Sequence, residues 1–178
     1  MADDIPLIYW DACIFYEHLN EEQTEPRKRQ AVDNCLEQNK QKRNRICTSV
    51  ITHTEVLPKK LDKTLEQRYW EKFQSLYFFD VEIDRNVISL AREIKDYYFN
   101  PGDPVGVNHK MLSTGDAIHL ATAIIHQVNE FHTRDKNPKH GNVKLLGLPE
   151  SSPSGKICGL HSLRVLSPEV SQGRLDGI

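Results

Sequence analysis

Short apolar runs alternate with helical stripes along this chain, and several of the runs end beside a carboxylate. Leu7–Trp10 is a continuous apolar segment followed at once by Asp11, the pattern of a central strand buried on both faces with an acid at its C-terminal edge. Residues 45–49 read as a second short strand, and 51–57 as the start of a helix that holds Glu55 and that Pro58 disturbs or ends. Leu65, Tyr69, Phe73 and Leu76 recur at helical spacing, after which Phe79, Val81 and Ile83 alternate with the period of a strand. Asp84 suits the cap of a helix whose stripe is Val87, Leu90, Ala91, Ile94 and Tyr98. Segment 100–113 has two Gly, two Pro and no period, so a loop bordering or covering a site is expected there. A strong helix follows, with Ala117, Leu120, Ala121, Ile124 and Val128 as its buried stripe and Ser113 and Asp116 in a capping arrangement at its start. Residues 130–133 read as a rather polar strand, and 163–166 as a better one beyond the irregular segment 147–162.

Strands alternating with helices favour an α/β domain with a parallel sheet. Right-handed crossovers then put helices on both faces, and ligand sites collect at the C-terminal ends of the strands. At 178 residues the chain is expected to form a single domain, with its core spanning about residues 5–170. No apolar run approaches the roughly 18 residues of a membrane-crossing helix. The acidic start, Met-Ala-Asp-Asp, lacks the basic and apolar regions of a secretory signal, so a cytoplasmic location is expected. Cys13, Cys35, Cys47 and Cys158 are scattered without zinc-site spacing and read as reduced thiols. A net charge of −2 announces no nucleic-acid protein. Locally the balance tips: Arg27, Lys28, Arg29, Lys40, Lys42, Arg43 and Arg45 are opposed only by Asp33 and Glu37. Alone, that stretch reads as a solvated helix face.

The acids carry more chemistry. Asp11 follows the first strand, Glu55 lies just beyond the second, Asp116 opens the late helix and Asp135 follows the 131–133 strand, so all four can meet at one sheet edge. Clustered carboxylates repel and raise one another's proton affinity unless a cation compensates them, and hard oxygen ligands select Mg²⁺ or Mn²⁺. Taken singly, Asp116 is explained by helix capping, Glu55 by a surface position and Asp135 by a turn.

Ile8-Tyr-Trp-Asp11-Ala-Cys, Thr48-Ser-Val-Ile-Thr-His-Thr-Glu55, Thr114-Gly-Asp116-Ala-Ile-His-Leu-Ala-Thr-Ala123 and Phe131-His-Thr-Arg-Asp135 occur in this order. In motif and spacing the chain resembles the PIN-domain ribonucleases, most closely the toxin type typified by VapC. The resemblance implies a three-layer α/β/α domain with a central parallel sheet of about five strands, and Mg²⁺- or Mn²⁺-dependent endoribonuclease activity on RNA phosphodiesters. Asp11, Glu55, Asp116 and Asp135 then take the family's catalytic, metal-binding positions, with Asp11 and Asp116 as direct ligands and Glu55 and Asp135 orienting water or a second metal. It also implies a small antitoxin as partner and a homodimer as a common assembly.

Secondary candidates follow. Thr133 can hydrogen-bond Asp135 or only backbone. His119, three residues after Asp116 and on nearly the same face, reads first as a packing histidine and second as a phosphate contact. Arg134, beside Asp135, reads first as a surface residue and second as a phosphate contact. Once a nuclease is in view, the seven cations of 27–45 become candidate contacts for the RNA backbone. Cys13 departs from the toxin pattern, where a small hydroxyl or amide residue is common. Two other readings compete: a non-catalytic PIN-like module that binds RNA or protein, and a haloacid-dehalogenase-type phosphotransferase, which needs a second Asp two residues after the first, where this chain has Cys13.

Overall fold

Side-chain alternation along the strands divides the core in two. In the computed structural model, which describes residues 5–20, 24–57, 62–99, 112–136, 143–150 and 153–169, the first strand β1 (Leu7–Trp10) sends Ile8 and Trp10 to one face and Leu7 and Tyr9 to the other. The elements continue as α1 (Ala12–Leu19), α2 (Pro26–Lys40), β2 (Arg45–Ser49), α3 (Ile51–Val56), α4 (Lys63–Trp70), a 3₁₀ turn over Glu71–Gln74, β3 (Phe78–Val81), α5 (Arg85–Tyr97), α6 (Thr114–Ile125), β4 (Glu130–His132) and β5 (Val165–Leu166). All strand pairs are parallel, in the order β3-β2-β1-β4-β5. The expected five-stranded parallel sheet between helical layers is the observed one.

On one face, Ile8, Trp10, Ile46 and Phe78 pack with Ile14, Phe15, Val32, Leu36 and Tyr69, and Trp10 meets Phe15 and Phe78 edge to face. On the other, Tyr9 stacks on Phe131 beneath α5 and α6. Asp84 and Ser113 cap α5 and α6 as the sequence suggests, accepting from Val87 and Asp116 amides, and such caps stabilise by about 1 kcal/mol each. Strand β4 tolerates its polar residues because His132 Nε2 and Glu130 Oε2 pair with each other at 2.9 Å.

One expectation is corrected. Leu76 does not continue the Tyr69 and Phe73 stripe: the helix tightens to 3₁₀ and ends at Gln74, Ser75 turns extended, and Leu76 is left 92% exposed. The cations of 27–45 do not form one surface. Arg27 and Lys28 open α2, whereas Lys40 closes it and Arg45 opens β2, at the sheet edge opposite the acids. Arg29 pairs with Asp33, Lys40 with Glu37, and Lys42 lies over the Tyr77 ring. Of the loop expected at 100–113, residues 100–111 lie outside the described ones, while Leu112 is buried and Ser113 forms the cap. Among the described residues, no helix is long and apolar enough to cross a membrane.

Candidate metal centre

Strand order reverses at β1, since β2 and β3 extend to one side and β4 and β5 to the other. Open α/β sheets form their crevice at such a switch point, outside the carboxyl ends of the strands. Asp11 ends β1 there. Its backbone is extended, its Oδ1 accepts from the Ala12 amide at 2.7 Å, and it thereby caps α1. Its Oδ2 accepts from the Thr133 hydroxyl at 2.7 Å, at the end of neighbouring β4, and from Cys13 Sγ at 3.2 Å. Asp11 is 7% exposed, and each oxygen is held by its own partners.

Glu55 reaches the same place from α3. His119 Nε2 lies 2.8 Å from Glu55 Oε2 and 3.7 Å from Asp11 Oδ1, and Asp11, Glu55 and His119 each offer a ligand atom within 4.8 Å of the others. The ring is oriented from behind. Tyr9 Oη sits 2.7 Å from Nδ1 and accepts from the Ser49 amide, so in the neutral ring the tyrosine hydroxyl donates to Nδ1 and Nε2–H donates to Glu55. Burial, with the charges of Cys47 and Asp11, pushes the Tyr9 hydroxyl well above its ordinary value and keeps it a donor. For His119, burial alone lowers the pKa, but the Glu55 hydrogen bond and the charges of Asp11, Glu55 and Asp116 together raise it.

Asp116 and Asp135 do not join that tight group. Asp116, in the first turn of α6, is raised by burial and then by the charges of Asp11 and Asp135, against the Ser113 hydroxyl and His119. Asp135 is likewise raised by burial and by Asp11, while its Oδ2 accepts from the Leu145 amide at 2.9 Å. Both acids therefore feel the charge of Asp11. Thr133 is fully buried and binds both neighbours, donating to Asp11 and accepting from the Asp135 amide at 3.1 Å.

Several partners escaped the sequence reading. His119 is no simple packing residue, because its ring is bonded at both nitrogens. Gly115 is a poor helix former inside the first turn of α6, and that was its signal: a Cβ there would stand 2.6 Å from Glu55 Oε1. Arg134 is not a surface residue. Its Nε meets Glu17 at 2.9 Å, and its Nη1 donates to the Ser167 hydroxyl and, at 2.7 Å, to the Pro168 carbonyl. The Cys13 thiol, raised well above its ordinary value by burial and by Asp11, receives the Arg134 amide at 3.0 Å.

This donor set fits a divalent cation. Carboxylate oxygens dominate, one imidazole is in reach, and two more acids carry raised proton affinity that a positive ion would offset.

A family model described as PIN domain matches residues 8–143. Among solved structures, VapBC2 from Rickettsia felis bound to a DNA fragment from their promoter is similar at TM-score 0.52 and 14% identity, over 71% of this chain and 86% of that one. A toxin-antitoxin complex from Klebsiella pneumoniae is similar at TM-score 0.50 and 22% identity, over 76% and 95%. At such identities the likeness is one of fold. Curated protein sequences yield no match.

Proposed function

The chain belongs to the PIN-domain family, and from that premise we propose that it is a Mg²⁺- or Mn²⁺-dependent endoribonuclease acting as the toxin of a toxin-antitoxin pair. The observation that carries this reading is the convergence of Asp11, Glu55 and His119 at the switch point, with Asp116 and Asp135 holding raised proton affinity beside them. Asp11, Glu55 and Asp116 would hold the cation. Once bound, it would lower the pKa of water for in-line attack on phosphorus and offset charge on the leaving oxygen.

The chain's own residues prepare that place. Thr133 and Cys13 fix the outer oxygen of Asp11, leaving Oδ1 to face His119 and Glu55. Tyr9 and His119 fix Glu55 in turn, and the Tyr16 hydroxyl holds the Glu55 carbonyl oxygen. Asp135 would orient water from the β4 side. Preorganised groups of this kind need little rearrangement when charge develops, which is how such sites accelerate reactions. The phosphotransferase reading lacks its acid, since the residue two positions after Asp11 is a thiol of raised pKa.

Two of the structural neighbours are VapBC2 and a toxin-antitoxin complex, which supports an antitoxin partner for this chain as well; a homodimer belongs to the same reading. The deciding experiment is RNA cleavage with Mn²⁺, Mg²⁺ or EDTA, with Asp116→Asn as control. Metal-dependent cleavage lost in that variant is the expected result. Absence of cleavage on varied RNAs would favour the non-catalytic binding module, and phosphate transfer through Asp11 would favour the phosphotransferase.

A further inference from the structure

A cavity of about 490 Å³ opens beside the acidic edge, walled by Arg27, Lys28, Arg134, Lys136, Ser167 and Glu169. Its charge is unbalanced. Glu17 neutralises Arg134, and Ser167, Pro168 and the Lys28 carbonyl accept from its Nη groups, so it acts as a wall joining α1, α2 and the segment after β5. Lys28 lies 3.4 Å from Glu25, but both side chains are about half exposed and such pairs hold weakly. Arg27 and Lys136 are exposed and make no ion pair among the described residues. Three cations therefore face the single carboxylate of Glu169.

Position adds to charge. Arg134 and Lys136 flank Asp135 in the chain, and consecutive Cα atoms stand about 3.8 Å apart, so the cavity begins within a residue or two of Asp135. We infer that this cavity binds a backbone phosphate of the RNA strand next to the scissile bond, with Arg27, Lys28 and Lys136 as its contacts; the inference rests on the ribonuclease reading and adds to it the anchor that sets where along the strand the cut falls. A strand crossing a negatively charged edge needs such an anchor, because every neighbouring phosphate is otherwise repelled there. The cavity size suits a nucleotide unit. A protein partner would be expected to find an aromatic or aliphatic anchor point, whereas Pro168 is the only apolar residue in this lining.

The test pairs Arg27→Ala with Lys136→Ala and compares the double variant with Arg92→Ala plus Lys156→Ala, which removes the same charge elsewhere. Steady-state cleavage of a short single-stranded oligouridylate with Mn²⁺ gives KM and kcat, and fluorescence anisotropy in EDTA gives affinity against salt. The cavity variant is expected to raise KM roughly tenfold and to lower the slope of log affinity against log salt by about 1.4, two single-strand phosphate contacts' worth. The control pair and the melting temperature should not move. Unchanged KM and salt slope in a variant of an active enzyme would overturn the inference while leaving the nuclease reading intact. Salt-sensitive binding lost in the variant, in a wild type that cleaves nothing, would support the cavity and sink the nuclease reading. Intact RNA binding with loss of a co-purifying protein would assign the cavity to that partner and overturn the inference.

Discussion

Thr133 and Asp11 stand 122 residues apart in the chain and meet at 2.7 Å across the ends of β4 and β1, the hydroxyl donating to Asp11 Oδ2. The contact spans the switch point and holds Asp11 Oδ2, while Oδ1 accepts from the Ala12 amide and faces His119. Thr133→Val keeps the shape, removes that donor and strips the Asp135 amide of its acceptor. We expect a loss of about 2 kcal/mol, the usual cost of deleting a hydrogen bond to a charged group, together with weaker Mn²⁺ binding. Urea unfolding and a Mn²⁺ titration measure the two effects, and Thr133→Ser should restore both. A valine variant that retained metal affinity would show that Asp11 needs no such positioning.

Gly115 poses the opposite kind of test. An alanine there is favoured by helix propensity by up to about 1 kcal/mol, yet its Cβ would meet Glu55 Oε1 at 2.6 Å. The atom it meets ends a flexible side chain, so Glu55 yields rather than the backbone, and its bond to His119 breaks. Gly115→Ala should therefore melt within a few degrees of wild type while cleavage falls at least roughly tenfold, a loss of about 1.4 kcal/mol in transition-state stabilisation. Equal loss of stability and activity would argue that Gly115 serves helix packing instead.

Strands and caps were legible because they rest on local rules: a short continuous apolar run at Leu7–Trp10, period two around Phe79 and Val81, and a capping residue before each apolar stripe at Asp84 and Ser113. That Asp11 and Glu55 would share an edge followed from parallel strands whose C-terminal ends align. The role of His119 was not legible, since its partners Tyr9 and Glu55 are 110 and 64 residues away and nothing local marks them. The same holds for Arg134, whose carboxylate partner is 117 residues distant. The placement of the cations was not legible either, since a helix of 15 residues carries its two ends to different edges of the sheet.

Asp116 should trade stability against function. Burial and the charges of Asp11 and Asp135 raise its proton affinity, so ionising it costs the cation-free fold. Asp116→Asn removes that charge at similar volume and should stabilise the protein in EDTA by about 1 kcal/mol while abolishing cleavage. Wild type at a Mn²⁺ concentration near one hundred times Kd should gain about 2.7 kcal/mol, and the variant much less. Thermal melts with and without Mn²⁺ measure both, and a variant that gained as much from the ion as wild type would remove Asp116 from the ligand set.

The same charges give the cation-free protein a pH signature. Asp116 and Asp135, raised from 3.8, bind protons in the fold that the unfolded chain has released, so their contribution to stability falls as pH rises through that interval and stays lower above it. His119 is raised from 6.5, so its contribution is complete below that value and is lost as pH climbs through the folded one. Glu130, lowered from 4.5 by its bond to His132, runs the other way and loses its contribution as pH falls through its folded value. Melting temperature in EDTA should therefore decline from the acid side of neutrality upward. His119→Gln should remove the part of the decline that lies above pH 6.5. Parallel profiles for variant and wild type would take His119 out of the explanation.

Arg134 and Glu17 form an ion pair only 12% and 16% exposed, tying the end of β4 to α1 and forming one wall of the cationic cavity. A pair this dry gains little net stability over an apolar replacement, because both charges lost their water to form it. Breaking one side is another matter. Arg134→Met leaves Glu17 buried without a counter-charge and frees the Ser167 hydroxyl and the Pro168 carbonyl of their donor, so about 3 kcal/mol should be lost. Adding Glu17→Leu removes the stranded carboxylate, and the double variant should recover a large part of that loss. A double-mutant cycle by urea unfolding reads the coupling directly. Additive effects of the two substitutions would mean that the guanidinium serves through its bonds to the segment after β5 rather than through its bond to Glu17, and the wall of the cavity would then depend on Ser167 and Pro168 alone.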